Sequence, residues 1–282
     1  MNTIEIIYIC TNLYKNFVYN FIASSVYFWP NAKKTIKILA DDLKVVSEIL
    51  EKVKEDYNID ISNIELVKIT DLPYPLINTG KYAYINDYID DESDYVFYFD
   101  ADTKFIKKND EFWSNLKNVL DMNKILITSH IVYNYSFYEN FYAPEQRKSR
   151  IFDMEIFKNV FDIKQDSYLY DKLHIPCRSH VWAQVSVIAA KTDIMKRFSF
   201  VANKEMQEAM LPKCKGKPKY VLPDYPEEAV TNKMIYDSYI GKNTEFDYSI
   251  QPYAINDEVV AEKDFSFVLQ KYNPMIKEHF KW

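Results

Sequence analysis

The residues best suited to chemistry in this chain are Asp100 and Asp102, one residue apart in the segment DYVFYFDADTKF. They follow Tyr95–Phe99, an unbroken apolar run that reads as a strand buried on both faces. Such a strand cannot hold two unpaired carboxylates, because burying an ion without a partner is prohibitively costly. The pair must protrude where the strand ends, and in open α/β sheets ligands bind outside the carboxyl ends of strands. There the aspartates either share a hard divalent cation, Mn2+ or Mg2+, with the phosphate oxygens of a substrate, or cap the backbone amides of a turn.

A pair so placed needs a sheet to carry it, and the sequence supplies one. Residues 4–10 (IEIIYIC), 34–40 (KTIKILA) and 64–69 (IELVKI) read as strands, and residues 14–29 and 43–56 between them carry helical spacing. A helix over 79–90 leads into the Asp100 strand, and further strands are expected at 124–130 and 181–190. Pro223 to Glu228 precedes another helix, and 150–178 reads as an insertion or lid. This alternation predicts an α/β fold, a mostly parallel central sheet flanked by helices. With no internal repeat or low-complexity linker, residues 1–282 are expected to form one domain.

Composition narrows the function. At 282 residues and 48% hydrophobic, the chain is globular and large enough to bury a substantial core. A formal charge of −6 argues against general nucleic-acid binding, which draws on clustered Lys and Arg. Cys10, Cys177 and Cys214 are too scattered for a disulfide framework or a zinc site. The 3 glycines cannot build a glycine-rich phosphate loop, so any nucleotide must be held another way. The opening lacks a basic, signal-like region and no run is long enough to span a membrane, so a soluble, cytoplasmic protein is expected.

Two enzyme classes place such a pair at a strand end. In haloacid-dehalogenase-like phosphatases the pattern is DxDx[TV], with a nucleophilic first Asp. Here Thr103 falls one place early and Lys104 stands where Thr or Val belongs. The other class is the nucleotide-sugar glycosyltransferases of GT-A architecture. The opening IIYICTNLYKNF resembles the first strand and uridine-binding turn of glycosyltransferase family 6, the family of the histo-blood-group A and B transferases and the α1,3-galactosyltransferases. Asp94-Tyr95-Val96 through Asp100, Asp102 and Phe105 matches that family's DYLxxxDxDxxF. His130, Phe141-Tyr142, Glu145 and Arg147 echo its HPGFY…FTYERR segment. Tyr225-Pro226-Glu227-Glu228-Ala229 with Asn232-Lys233 is similar to WHDESxxNKY. Trp182 through Val187 lacks the glycines of the family's donor-pocket strand, and Tyr225-Pro226 replaces its Trp-His.

The resemblance implies a GT-A-like fold and a metal-dependent retaining transferase that moves a hexose, galactose or N-acetylgalactosamine, from a UDP-sugar to a glycan acceptor. Asp100 and Asp102, with Ala101 between them, would set Mn2+ or Mg2+ against the diphosphate. Glu228 would be the carboxylate facing the reacting sugar, and Glu227 would hold donor hydroxyls; alternatively both form the acidic first turn of a helix. Tyr8, Ile9, Cys10 and Tyr14 would line the uracil pocket, or else serve as core and helix-face residues. Lys81 would pair with phosphate or with Asp100. His130 and Gln184 would meet a sugar, or be scaffold residues satisfied by the protein itself. Trp182 would stack on sugar or pack in the core, and Lys271 and Lys277 would close over the diphosphate or stay solvated. A non-catalytic carbohydrate- or nucleotide-binding protein is the remaining alternative.

Overall fold

The first strand, β1 (Thr3–Cys10), sets the plan of the molecule. From Ile4 to Cys10 every side chain is buried, so the strand offers its sides to two helical layers at once. The computed structural model describes residues 2–26, 32–71, 76–105, 110–129, 183–210, 226–239, 241–252 and 267–269. In it, β1 pairs in parallel with β2 (Lys33–Ala40) on one side and with β4 (Tyr95–Asp100) on the other. Beyond β2 lies β3 (Ile64–Lys68), also parallel. Beyond β4 comes β7 (Ala183–Lys191), antiparallel to β4 and to the next strand, β6 (Lys124–Ser129). A last strand, β8 (Asp247–Pro252), runs parallel to β6. The order is β3-β2-β1-β4-β7-β6-β8, with β7 reversed against the other six.

Alternation along β1 divides the core into two layers. Ile4, Ile6, Tyr8 and Cys10 pack beneath α1 (Val18–Ser25), α2 (Leu43–Tyr57) and α4 (Asp110–Asp121) through Phe21, Val46, Ile49 and Leu116. Ile7 and Ile9 face α3 (Leu76–Tyr88), α5 (Thr192–Met210) and α6 (Pro226–Tyr239) through Tyr82, Phe198 and Val230. The architecture is therefore α/β, a mostly parallel sheet flanked by helices, as the alternation of strands and helices predicts. Local signals agree with it: Asp42 caps α2 by accepting from Lys44 N–H at 3.1 Å, and Asn58, in the left-handed region, ends it. Among the described residues no helix is long and apolar enough to cross a membrane.

Three features depart from the expectations. In place of one helix from residue 14, a 3₁₀ helix spans Asn12–Phe17 and α1 begins at Val18. Asn12 takes φ 52°, and the Tyr14 N–H closes a tight turn on the Thr11 carbonyl at 3.0 Å, which winds the first turn more tightly than an α-helix. The helices α4 and α5 and the edge strand β8 are additional to the expected elements. A small second sheet, β5 (Thr103–Phe105) paired antiparallel with β9 (Phe267–Leu269), is additional as well. The segment 150–178 lies outside the described residues.

Candidate active site at the switch point of the sheet

From β1 the chain builds outward through β2 and β3, then returns to lay β4 on the other side of β1. The strand order reverses between β1 and β4, and a crevice at the carboxyl ends of two such strands is where open α/β sheets bind ligands. Asp100 is the last residue of β4, Ala101 and Asp102 make the turn, and β5 follows. Both aspartates are partly exposed, whereas Tyr95–Phe99 behind them are buried. Because β7 runs backwards, its start lies at this same end. Phe99 is opposite Val187, so the register sets Ser186 beside Asp100 and carries Ala183–Val185 past the end of β4.

Lys81, on α3, joins these pieces. Its side chain is buried, and its Nζ donates to Asp100 Oδ1 at 3.0 Å and to the Val185 carbonyl of β7 at 3.2 Å. The same ammonium stands 3.9 Å from Glu227 Oε1, at the first turn of α6, and 4.9 Å from the centre of the Tyr98 ring. Burial works against its charge, but Asp100 and then Glu227 outweigh that effect and its pKa is raised. The neighbouring Tyr82 fixes α6 as well. Its hydroxyl donates to the Glu227 carbonyl at 3.3 Å and contacts Thr231, whose own hydroxyl donates to that carbonyl at 2.8 Å. One turn of α3 thus ties together β4, β7 and α6.

Glu227 and Glu228 open α6 behind Pro226, a residue preset for the first helical turn, where the helix dipole favours acid. Both are buried, at 4% and 6% exposure. Among the described residues Glu227 Oε2 has no hydrogen-bond partner, an expensive state for a buried carboxylate oxygen. Burial pushes the Glu227 pKa up to about 8; Lys81 pulls it down, and Glu228 and Asp100 push it up again. The two lysine–carboxylate shifts have one explanation. Asp100, Glu227 and Glu228 all act on Lys81, so the lysine is held charged while its single charge cannot neutralise every acid around it.

Two tyrosines touch the aspartate turn. Tyr98 donates to Asp100 Oδ1 at 2.6 Å, and Tyr8 donates to the Ala101 carbonyl at 2.5 Å. Burial, reinforced by nearby acids, raises both pKa values well above the ordinary phenol value, so both hydroxyls remain donors.

Of the residues singled out in the sequence, Asp100, Ala101, Asp102, Lys81, Glu227 and Glu228 gather at this one end of the sheet. Tyr8, Ile9 and Cys10 are buried in β1, with Tyr8 stacked on Phe21 at 4.1 Å. Tyr14 lies on the 3₁₀ helix just past β1 and is 53% exposed. Gln184 sits in the overhanging start of β7, although its side chain is outside the described residues, as are His130, Trp182, Lys271 and Lys277. Lys233 pairs with Glu205 at 3.1 Å and Asp237 at 2.9 Å. Sequence reasoning missed Tyr98, Tyr82 and Thr231. An aromatic inside an apolar strand or on a helix face reads as core, and the Tyr82–Thr231 contact spans 149 positions. Among the described residues no group of three or more His, Cys, Asp or Glu side chains is arranged to hold a metal unaided. Compared with known proteins, the sequence matches no family model and no curated protein.

Proposed function

We propose that this chain is a metal-dependent retaining glycosyltransferase of GT-A-like architecture, moving a hexose from a UDP-sugar to a glycan acceptor, with galactose or N-acetylgalactosamine as the sugar. The observation that carries this reading is the convergence of Lys81, Asp100 and Glu227 from three distant segments at the switch point, around a turn that also holds Asp102. The acids suit a hard cation in kind, since every donor is a carboxylate oxygen. Two aspartates suit one that takes its remaining ligands from water and substrate phosphates, as Mg2+ does. When bound, the ion would supply Lewis-acid stabilisation of the charge that develops on the departing diphosphate.

The chain's own groups have separable tasks in this reading. Asp100 and Asp102 would hold the ion, and Lys81 fixes the orientation of Asp100. The unpartnered Oε2 of Glu227 would accept a hydrogen bond from a donor-sugar hydroxyl, which would remove the cost of leaving it unpaired. Glu228, beside it, would stabilise the oxocarbenium-like centre from the opposite face of the sugar. Tyr14 would offer its half-exposed ring to the uracil.

Asp102→Asn tests the proposal. Metal-dependent hydrolysis or transfer from UDP-sugars should collapse while circular dichroism shows an intact fold, and an unchanged rate contradicts the metal assignment. Turnover of p-nitrophenyl phosphate would instead favour phosphatase chemistry; the transferase reading expects none.

A further inference from the structure

A carboxylate at the end of a strand is free to rotate, and a ligand-binding acid must be held in one orientation to bind well. Tyr98 and Asp100 are two residues apart on β4, so their side chains share a face of the sheet. On that face the Tyr98 hydroxyl and the Lys81 ammonium both donate to Oδ1 of Asp100, at 2.6 and 3.0 Å. A carboxylate oxygen offers about two lone-pair sites, so Oδ1 is fully used and, among the described residues, Oδ2 is the oxygen left to meet a ligand. Tyr98 acts twice, because its ring also lies under the Lys81 ammonium at 4.9 Å. Tyr8 belongs to the opposite layer of the core, with Phe21, Phe99 and Phe105. Its hydroxyl holds the carbonyl of Ala101, the residue between the two aspartates, at 2.5 Å. The turn is therefore gripped from both faces of the sheet.

We infer that Tyr98 and Tyr8 are positioning residues of this site: Tyr98 turns Asp100 so that Oδ2 faces the ligand, and Tyr8 pins the backbone that sets Asp102 relative to Asp100. The inference rests on the proposed metal and UDP-sugar binding, and it assigns Tyr8 a role different from lining a uracil pocket. The groups that hold a ligating carboxylate commonly affect metal affinity by about 10- to 100-fold.

The test uses the full chain, with Mn2+ as the probe and the electron paramagnetic resonance signal of free Mn2+ as the readout, with and without UDP. Tyr98→Phe keeps the ring under Lys81 and removes the hydroxyl; Tyr8→Phe keeps the stack on Phe21. Each should weaken Mn2+ binding about tenfold. Tyr95→Phe removes a tyrosine–carboxylate hydrogen bond of the same kind, to Asp121 at the far end of β4, and should leave Mn2+ binding unchanged. With Asp100→Asn in place, Tyr98→Phe should add no further loss. Wild-type affinity in both Tyr98→Phe and Tyr8→Phe, or an equal loss in Tyr95→Phe, overturns the positioning role while the transferase reading stands. Wild-type protein that binds no Mn2+, with or without UDP, overturns the transferase reading and this inference with it. If Tyr98→Phe does not fold, Tyr8→Phe decides the matter.

Discussion

The two ends of β4 carry the same three groups. At the amino end, Tyr95 donates to Asp121, Lys117 pairs with that acid, and the lysine stands 5.9 Å from the Tyr95 ring. At the carboxyl end, Tyr98 donates to Asp100, Lys81 pairs with it, and the lysine lies 4.9 Å from the Tyr98 ring. What differs is solvent and balance. The side chains of Lys117 and Asp121 are 35% and 42% exposed, and Lys191 adds a second positive charge beside the acid, a closed staple between α4 and the sheet. The Lys81 side chain is 6% exposed and answers to Asp100, Glu227 and Glu228 together. The same chemistry makes a fastener where water screens it. It makes a candidate site where the groups are buried and Glu227 keeps an oxygen that no described residue satisfies.

The largest effect should come from breaking the buried member of this comparison. Lys81→Met leaves buried acid without its cation and should cost about 3–5 kcal/mol of stability, read from urea unfolding. The matching Lys117→Met should cost under about 1 kcal/mol, as exposed pairs do. Similar losses at the two ends would remove the distinction.

The pH dependence of the two ends should have opposite signs. Glu227 holds its proton more tightly folded than unfolded. Its contribution is therefore complete below the ordinary value of 4.5 and is lost as pH rises through about 8. Glu227→Gln should flatten the decline in unfolding midpoint over that range. At Asp121 burial raises the pKa, but hydrogen bonds from Lys117 and Tyr95 outweigh it and the value is lowered. Its contribution is present above 3.8 and is lost as pH falls through the lower folded value, so Asp121→Asn should flatten the acid limb alone. Tyr95→Phe, like Lys117→Met, should have a small effect, no more than about 1 kcal/mol for one hydrogen bond; a loss comparable with Lys81→Met would mark this end as more than a staple.

Much of this was legible in the residues, for identifiable reasons. The apolar runs of β1, β2 and β4 had to be buried strands, and the aspartates had to leave β4 at its end. Lys81 had phosphate or Asp100 as candidate partners, and the structure pairs it with Asp100. The reversal of β7 was not legible, because VSVIAA reads as a buried strand in either direction; only its pairing with β4 and β6 shows the antiparallel run. Tyr98 was hidden for a related reason. In a run of apolar residues a tyrosine looks like packing, and its hydroxyl acquires meaning only once Asp100 and Lys81 stand beside it.

The most direct measurement is a thermal-shift panel of nucleotide sugars on the intact chain, with and without Mn2+, since a ligand that prefers the native state raises its apparent stability. UDP-sugars should raise the melting temperature when Mn2+ is present and leave it unchanged when the ion is withheld, and Asp102→Asn should abolish the shift. A shift of equal size without metal, or none with any nucleotide sugar, would contradict an ion-bridged diphosphate at the end of β4.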